Sequence, residues 1–409
     1  MILVEDNYTL WEGYLPRLPL TPEQKEEAIN RMLTRWSGNA DMYASSLKQR
    51  GFDAVRCVPS IRASEPSLTT HDLGHQVLRI PVGGSSSSGA MQALKFNLRL
   101  GKVCGGHPRI VHFNTYYSSY FAASLVWRGR TAVLSQYSGG SPPVKGPIVE
   151  KLRWLVPVGL ALHSSNGVLL GDFSLEEQAQ RKILTDHYHL NESQIRDFPP
   201  IVVNPALFYD RDKASARAEL GFDESSTHIL IVSAIPRRLD TNQLSKNPFA
   251  VLEAFSKVPA GGRRWHLHFV GFGPGFGDLV ALAKELRIED RATFHGIIEH
   301  EKLPPYYSAS DLIINPYSSL DLRVGTATME GFACARPVVM FKRSQSSASD
   351  QPGGFLVDDD RGRASTELES ILEDPARLER KGREGPDIAR RYALPKVVDR
   401  LIEIYSEVL

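Results

Sequence analysis

The chain has 409 residues, a formal net charge of +1 and an ordinary globular composition, with 42% hydrophobic and 23% charged residues. This length predicts two or three domains, and the balanced charge argues against a general nucleic-acid-binding protein, which would show a basic excess. The three cysteines, Cys57, Cys104 and Cys334, have no close spacing, so we expect buried free thiols and neither a disulfide framework nor a zinc site.

Two features bear on the compartment. The N-terminal stretch MILVEDNYTL lacks the basic region and long apolar core of a secretory signal, and no run of about 18 apolar residues occurs that would span a membrane. We therefore expect a cytoplasmic, reduced protein. The basic, tryptophan-bearing segment 142–162 is either a core element or a peripheral contact with the inner face of the membrane.

The first elements of the chain predict the beginning of a nucleotide-binding βαβ unit. Residues 1–5 form a short apolar strand, and the stretch 37–58 gives a turn at Gly38, a helix that stops at Gly51 and a second strand. A full GxGxxG motif is missing, so Gly38 is either a packing position or a position that faces a ligand. The long stretch 8–37 is either an insertion near the site or a surface helix.

A later strand of the first half ends in polar and aromatic side chains. The segment TAVLSQYSGG (131–140) predicts a buried strand followed by Gln136, Tyr137, Ser138 and two glycines. Doubly wound sheets place ligand contacts at the ends of their strands.

The second half opens with a strand and a basic loop. The segment 228–255 predicts a buried strand, a loop that holds Arg237, Arg238 and Lys246, and a helix with Asn247 as its N-cap. A guanidinium and an ammonium beside a helix start suit a diphosphate. The alternative is a solvated basic loop. Further along, the backbone around Ile298 would suit the edge of a nucleobase.

The stretch LIINPYSSLDLRVGTATMEGFACARPVVM (312–340) predicts two buried strands joined by a loop and a helix. Gly325 and Thr326 open this helix, where unpaired N–H groups and the positive end of the helix dipole suit a phosphate. Glu330 follows about one turn later, where its carboxylate can accept hydrogen bonds from sugar or ribose hydroxyls. The alternative is an ordinary βαβ unit with a solvated glutamate.

Two runs of strand and helix, each of about 200 residues, predict an α/β protein with two doubly wound, Rossmann-like domains that face a cleft. The predicted domains are 1–205 and 206–390, and residues 391–409 form a closing helix with one apolar stripe.

Taken in order, these motifs resemble the GT-B glycosyltransferases, in particular the retaining family 4, also called glycosyl transferases group 1. The resemblance is firm over 200–409 and loose over 1–200. It rests on Arg238 and Lys246 ahead of a helix, VGFGPG (270–275), HGIIEHEKLPPYYSASD (295–311), Asn315-Pro316, Glu330 and GFACARPVV (331–339).

The resemblance implies a role for single residues. Arg238 and Lys246 would hold the diphosphate and act in catalysis, with Arg237 as the neighbouring alternative. Glu330 would bind the ribose hydroxyls, and Gly325 and Thr326 would offer N–H groups to phosphate and sugar. The remaining nucleotide contacts implied are Gly273, Ile298 and, from the first domain, Gly38.

The chain departs from the family pattern in two places. The first glutamate of the family's paired motif falls on Leu322, and the adjacent Asp321 is the candidate catalytic substitute. The first-domain histidine near the donor sugar is replaced at Tyr137 or Ser138. His112, on the preceding strand with Asn114 nearby, completes the acceptor-side candidates.

The resemblance implies a retaining, metal-independent hexosyltransferase with no cofactor. The donor would be a UDP- or GDP-linked sugar, and the acceptor a saccharide, a lipid-linked or a small molecule; no nucleic acid is involved. The first domain would bind the acceptor, the second the donor, and the closing helix would cross back to the first domain. The alternatives are a GT-B-shaped sugar-nucleotide-binding or regulatory protein without turnover, or an epimerase or phosphorylase.

Overall fold

The computed structural model describes two compact units. The first holds the described residues of Met1–Asp172, Glu177–Pro200 and Leu394–Leu409, and the second those of Ile201–Ala393. The sequence predicts divisions after residues 205 and 390, whereas the structure divides the chain after Pro200 and Ala393. The described residues are 1–4, 23, 39–60, 63–82, 89–104, 108–113, 126–127, 131–137, 159, 162–170, 179–199, 201–238, 246–259, 264–319, 325–342, 349–358 and 360–409.

The first unit is built on one twisted sheet in the order β3-β4-β2-β1-β5-β6-β7-β8. Its pairings are parallel except for the antiparallel pair of β3 and β4. Both faces of the central strands are covered, which is why their sequences are apolar without alternation. The strands are β1 (Ile2–Val4), β2 (Val55–Ser60), β3 (Ser67–Thr70), β4 (Gln76–Pro81), β5 (Ile110–Phe113), β6 (Ala132–Tyr137), β7 (Gly167–Leu170) and β8 (Ile195–Asp197).

The described helices of the first unit are Asn39–Gln49, Gly89–Val103, the short Ala179–Lys182 and the last helix, Leu394–Val408. The first of these stops before Gly51, whose φ of 84° only glycine adopts easily, as the sequence predicts. The last helix buries Val397, Leu401 and Tyr405 on the predicted apolar stripe. Its polar face is tied to the same unit by the ion pair of Arg196 with Glu407 at 2.6 Å.

The second unit is built on a sheet in the order β11-β10-β9-β12-β13-β15-β14, parallel except for the last pair. Its strands are β9 (Thr227–Val232), β10 (Trp265–Val270), β11 (Ala292–Gly296), β12 (Leu312–Ser319), β13 (Val338–Lys342), β14 (Ser349–Gln351) and β15 (Gly354–Asp358). Its helices are Lys213–Leu220, Pro248–Phe255, Phe276–Glu285, Pro304–Ala309, Thr326–Ala333, Arg361–Leu372 and Pro375–Ala389.

The core of the second unit lies on both faces of this sheet. Along β9, Ile229 and Ile231 contribute to one hydrophobic cluster, while Leu230 contributes to the cluster on the opposite face. The strand therefore has period-two side-chain directions and is buried on both faces, as expected for a parallel strand covered by helices on both sides.

Among the described helices of both units, none has the length and apolar character needed to cross a lipid bilayer. The stretch 8–37, apart from Glu23, and most of the segment 142–162 lie outside the described residues.

Candidate functional site

The order of the second sheet changes direction between β9 and β12. The chain proceeds from β9 to β10 and β11 on one side, and β12 then lies on the other side of β9. Ligands of open parallel sheets bind outside the carboxyl ends of the strands at such a point. The amide of Asn247 donates to the carbonyl of Pro316 in β12 at 2.7 Å, so the helix start that follows Lys246 lies at this point.

The loops after β9 and β10 are in backbone contact at this edge. The Ile235 amide donates to the Phe272 carbonyl at 3.1 Å, and the Gly275 amide donates to the Ile235 carbonyl at 3.2 Å. A Cβ atom at Gly273 would lie 2.1 Å from the Ile235 carbonyl oxygen, which is far inside van der Waals contact. The glycine-rich segment is therefore required for this close approach, and the contact of Gly273 with a nucleotide stays a prediction.

The helix Thr326–Ala333 begins at the same edge after β12. Gly325 is its N-cap in an extended conformation, and no side chain among the described residues caps it. Gly325 and Thr326 are both half-buried. This end of the helix carries the partial positive charge of its dipole, and its first amides have no acceptor within the helix.

Glu330, one turn into this helix, is only 3% exposed, and both carboxylate oxygens are hydrogen-bonded. The Tyr307 hydroxyl donates to Oε2 at 2.7 Å, and His300 Nε2 lies 2.6 Å from Oε1. Phe208 packs against both rings, with centroids 5.0 Å from His300 and 5.6 Å from Tyr307. Glu330 is therefore a buried, hydrogen-bonded carboxylate and not the solvated glutamate of the alternative interpretation.

The charge of this group follows from its surroundings. Burial lowers the pKa of His300, but the hydrogen bond to Glu330 and its negative charge outweigh burial and leave this pKa above the ordinary histidine value. Burial, followed by the charge of Glu330, raises the pKa of Tyr307 well above its ordinary value, so the phenol stays protonated and donates. His300 Nε2 and Oε1 of Glu330 thus lie within ion-pair distance, at 2.6 Å.

The predicted cations of the loop after β9 differ in their placement. NH2 of Arg238 lies 3.4 Å from Oε1 of Glu253, and its NH1 lies 3.9 Å from Oε2 of Glu285. Carboxylates of two neighbouring helices therefore partly neutralise the charge of Arg238. Arg237 is exposed. Lys246 is half-buried and directly precedes Asn247. The roles of these three cations in binding a diphosphate stay predictions.

The loop after β11 reaches the same edge. The Gly271 amide donates to the Gly296 carbonyl at 2.7 Å, which joins this loop to the one after β10. Ile298 is half-buried two residues further on. The predicted contact of Ile298 with a nucleobase stays a prediction.

Several predicted site residues lie outside the described residues, namely Gly38, Asn114, Ser138 and Asp321. Tyr137 is the last residue of β6, but its side chain also lies outside the part of the chain that the structure describes. Their roles stay predictions.

His112 needs a different interpretation from the acceptor-side role expected from the sequence. Its ring is fully buried, and Nδ1 lies 2.9 Å from the Tyr405 hydroxyl of the last helix. Burial lowers the pKa of His112 to about 3, so the ring is neutral. A ring without an exposed face cannot contact an acceptor in this structure, because β5 turns it into the core of the first unit.

Two residues of the site were not singled out by the sequence analysis. His300 and Tyr307 are 30 and 23 residues from Glu330, and they meet its carboxylate only because the loop after β11 folds against the helix Thr326–Ala333. The one sequence signal was the polar and aromatic character of the segment EHEKLPPYY (299–307), which has no periodicity.

The described residues of the first unit include one group with metal-binding residue types, although the sequence analysis names no metal ligand. Potential ligand atoms of Asp41, His71 and His75 lie within 4.8 Å of one another, and all three residues are buried. His71 Nδ1 accepts the Leu73 amide at 3.1 Å, so in the neutral ring Nε2 carries the proton and cannot ligate a metal.

The hydrogen bonds of this group indicate a different role. Oδ1 of Asp41 is 2.9 Å from both Arg56 NH1 and His75 Nε2. N–H donors thus surround a buried carboxylate and satisfy it, which is what burial of a charge requires. A metal would have to displace these donors.

Comparison with solved structures defines the class of fold. Sucrose-phosphate synthase from Thermosynechococcus elongatus aligns with a TM-score of 0.73 at 18% identity, over 100% of this chain and 98% of that chain. Anabaena HepE, solved in complex with UDP and glucose, aligns with a TM-score of 0.67 at 14% identity, over 99% of both chains. The two Rossmann-like units are therefore the fold of the GT-B glycosyltransferases, as predicted.

The match to a family is more specific. Residues 234–374 match the family described as Glycosyl transferases group 1, and this match lies within the second unit. A D-inositol 3-phosphate glycosyltransferase of Segniliparus rotundus is 30% identical over 272 residues, which are 65% of this chain and 57% of that relative. The Rhodococcus opacus protein of the same name is 31% identical over 202 residues, which are 47% of this chain and 44% of that relative. The chain thus spans about half the length of the curated relatives it matches.

Proposed function

We propose that the protein is a glycosyltransferase that moves a sugar from a nucleotide-diphosphate donor to an acceptor hydroxyl. The observation that carries this proposal is that the family match over 234–374 covers the whole edge described above. That edge combines Lys246, the glycine loop at Gly273, the helix start at Gly325 and the held carboxylate of Glu330.

We propose that the sugar is transferred with retention of configuration and without a metal. The bond between the anomeric carbon and the diphosphate oxygen breaks, the acceptor oxygen bonds to the anomeric carbon on the same face, and the leaving oxygen takes the acceptor proton. The transition state is oxocarbenium-like. Lys246 and the amides at Gly325 and Thr326 would stabilise the charge that grows on the diphosphate, the interaction that usually contributes most to such catalysis.

For the donor we propose a UDP- or GDP-linked hexose, which Glu330 binds through the ribose hydroxyls. The UDP and UDP-glucose complexes of HepE support the UDP form, since that protein shares the fold. For the acceptor we propose a saccharide, a lipid-linked or a small polyol molecule. The name of the relatives places D-inositol 3-phosphate among the compounds to be tested.

The experiment incubates the full chain with UDP- and GDP-linked sugars and a panel of acceptors that includes D-inositol 3-phosphate. Release of nucleoside diphosphate together with a new glycoside is expected, and proton NMR coupling constants of the product give its anomeric configuration. Activity in excess EDTA tests metal independence. Donor binding without a product across the panel would favour a binding protein, and an inverted product would contradict the mechanism.

A further inference from the structure

The carboxylate of Glu330 is held from two sides by donors of different character. Tyr307 is fully buried and donates from within the core, whereas the side chain of His300 retains 20% of its exposure and covers the carboxylate from the outside. The side chain of Glu330 itself is only 4% exposed. Of the two donors, His300 is therefore the one that a ligand can reach from solvent.

The hydrogen bonds leave the carboxylate capacity for further donors. An ionised carboxylate has about four lone-pair positions, two on each oxygen. His300 and Tyr307 each use one oxygen, at 2.6 Å and 2.7 Å, so each oxygen can still accept one more donor. Two neighbouring hydroxyls, such as those of a ribose, match this capacity.

The packing around His300 fixes its ring. Phe208 lies against it with a centroid distance of 5.0 Å, and the same Phe208 contacts Tyr307 edge-on. The titratable groups that act on His300 are Glu330 and the neighbouring Glu301. With its ring packed against Phe208 and its Nε2 2.6 Å from Oε1 of Glu330, His300 restricts the rotation of the carboxylate.

We propose that His300 is a positioning residue that orients Glu330 toward the ribose hydroxyls of the donor. This inference rests on the proposed function and adds to it a residue that does not touch the sugar that is transferred. The contribution of His300 to binding should therefore depend on the ribose hydroxyls and on Glu330, and not on the base or the diphosphate.

The experiment measures the affinity of the full chain for UDP, GDP and their 2′-deoxy forms by calorimetry. His300→Ala should weaken the better ribonucleotide about tenfold, the usual loss for a hydrogen bond to a charged group, and should weaken its deoxy form much less. His300→Gln, whose amide can donate from near the Nε2 position, should restore most of the loss. His300→Asn, which is too short to do so, should behave like the alanine variant.

Two controls separate positioning from folding. In a Glu330→Gln background His300→Ala should have little further effect, because the carboxylate it orients is gone. His266→Gln is the matched control: His266 is a half-buried histidine of the same unit whose Nε2 bonds Thr293 at 2.8 Å, and its loss should leave nucleotide affinity unchanged.

The outcomes are distinguishable. Equal weakening of the ribonucleotide and the deoxynucleotide by His300→Ala would mean a merely structural role and would overturn the proposal, as would unchanged affinity. If the alanine variant does not fold, the comparison of His300→Gln with His300→Asn decides by the same criterion. A wild-type protein that binds neither UDP nor GDP would overturn the proposed function itself and this inference with it.

Discussion

His112 Nδ1 and the hydroxyl of Tyr405 lie 2.9 Å apart, although the two residues are 293 positions apart in the sequence. The bond joins β5 in the middle of the first sheet to the last helix of the chain, and both side chains are buried. The rings of His112 and Tyr405 also meet nearly edge-on, at 76°. The C-terminal helix is therefore a specific part of the core of the first unit.

Replacing Tyr405 by Phe should destabilise the first unit by about 1–3 kcal/mol, because it leaves a buried imidazole nitrogen without a partner. Hydrogen exchange of the β5 amides in the full chain measures the effect. Tyr209→Phe is the control, since Tyr209 is 45% exposed and its hydroxyl can exchange its partner for water. Equal exchange rates in the two variants would show that the His112–Tyr405 bond contributes nothing.

Replacing Lys246 by Ala should lower the transfer rate by about 10²–10³, the usual loss for a group that stabilises developing negative charge. Arg238→Ala is the matched comparison, and it should cost much less because Glu253 and Glu285 already partly neutralise Arg238. Steady-state rates with a saturating donor distinguish the two. A larger loss for Arg238→Ala would show that Arg238 contributes more to catalysis than Lys246.

Replacing Gly273 by Ala should destabilise the second unit by about 1–3 kcal/mol, because the added methyl group overlaps the Ile235 carbonyl and forces the two loops apart. Nucleotide affinity should fall with it. Gly277→Ala offers a control within the next helix, where a Cβ atom meets nothing within 4 Å. That substitution should stabilise slightly, by about 0.5–1 kcal/mol. Thermal unfolding curves of both variants test the contrast.

A row of imidazoles on the second sheet predicts sensitivity to acid. Nδ1 of His228 lies 2.9 Å from Nε2 of His268, and Nδ1 of His268 lies 3.1 Å from Nε2 of His295. At the other end of the row, Nε2 of His228 lies 2.6 Å from the backbone carbonyl oxygen of Asp223. Burial lowers the pKa of His228 and of His295, and burial together with its histidine neighbours lowers the pKa of His268 to about 2. In the folded state the row is therefore neutral.

The unfolded chain binds protons on these histidines below their ordinary pKa of about 6.5, so stability should fall as the pH drops from about 7 toward 5. His300 acts in the opposite sense, because its raised pKa stabilises the fold at low pH and this stabilisation is lost as the pH rises through its folded pKa. Hydrogen exchange of the β9–β11 amides between pH 7.5 and 5.5 measures the balance. His268→Gln should flatten the dependence, and an unchanged slope would contradict the assignment.

The local sequence was enough to predict the architecture. Apolar runs without alternation predict strands covered on both faces, and Asn247 before Pro248 predicts the helix start that the structure shows, with the Asn247 side chain accepting the Ala250 amide at 3.0 Å. The start of the helix at Thr326 was likewise predicted from a few consecutive residues. Such features are determined by residues within one or two helical turns along the chain, so the local sequence is enough to predict them.

The direction and surroundings of single side chains were decided by the tertiary structure. His112 is a residue type expected at a site, yet the fold turns its ring into the core of the first unit. Glu330 was predicted as a site residue, but its burial and its bonds to His300 and Tyr307 arise from the segment between β11 and β12, which packs against the helix that carries Glu330. Contacts of this kind depend on how distant segments pack together, and no local pattern of residues encodes that packing.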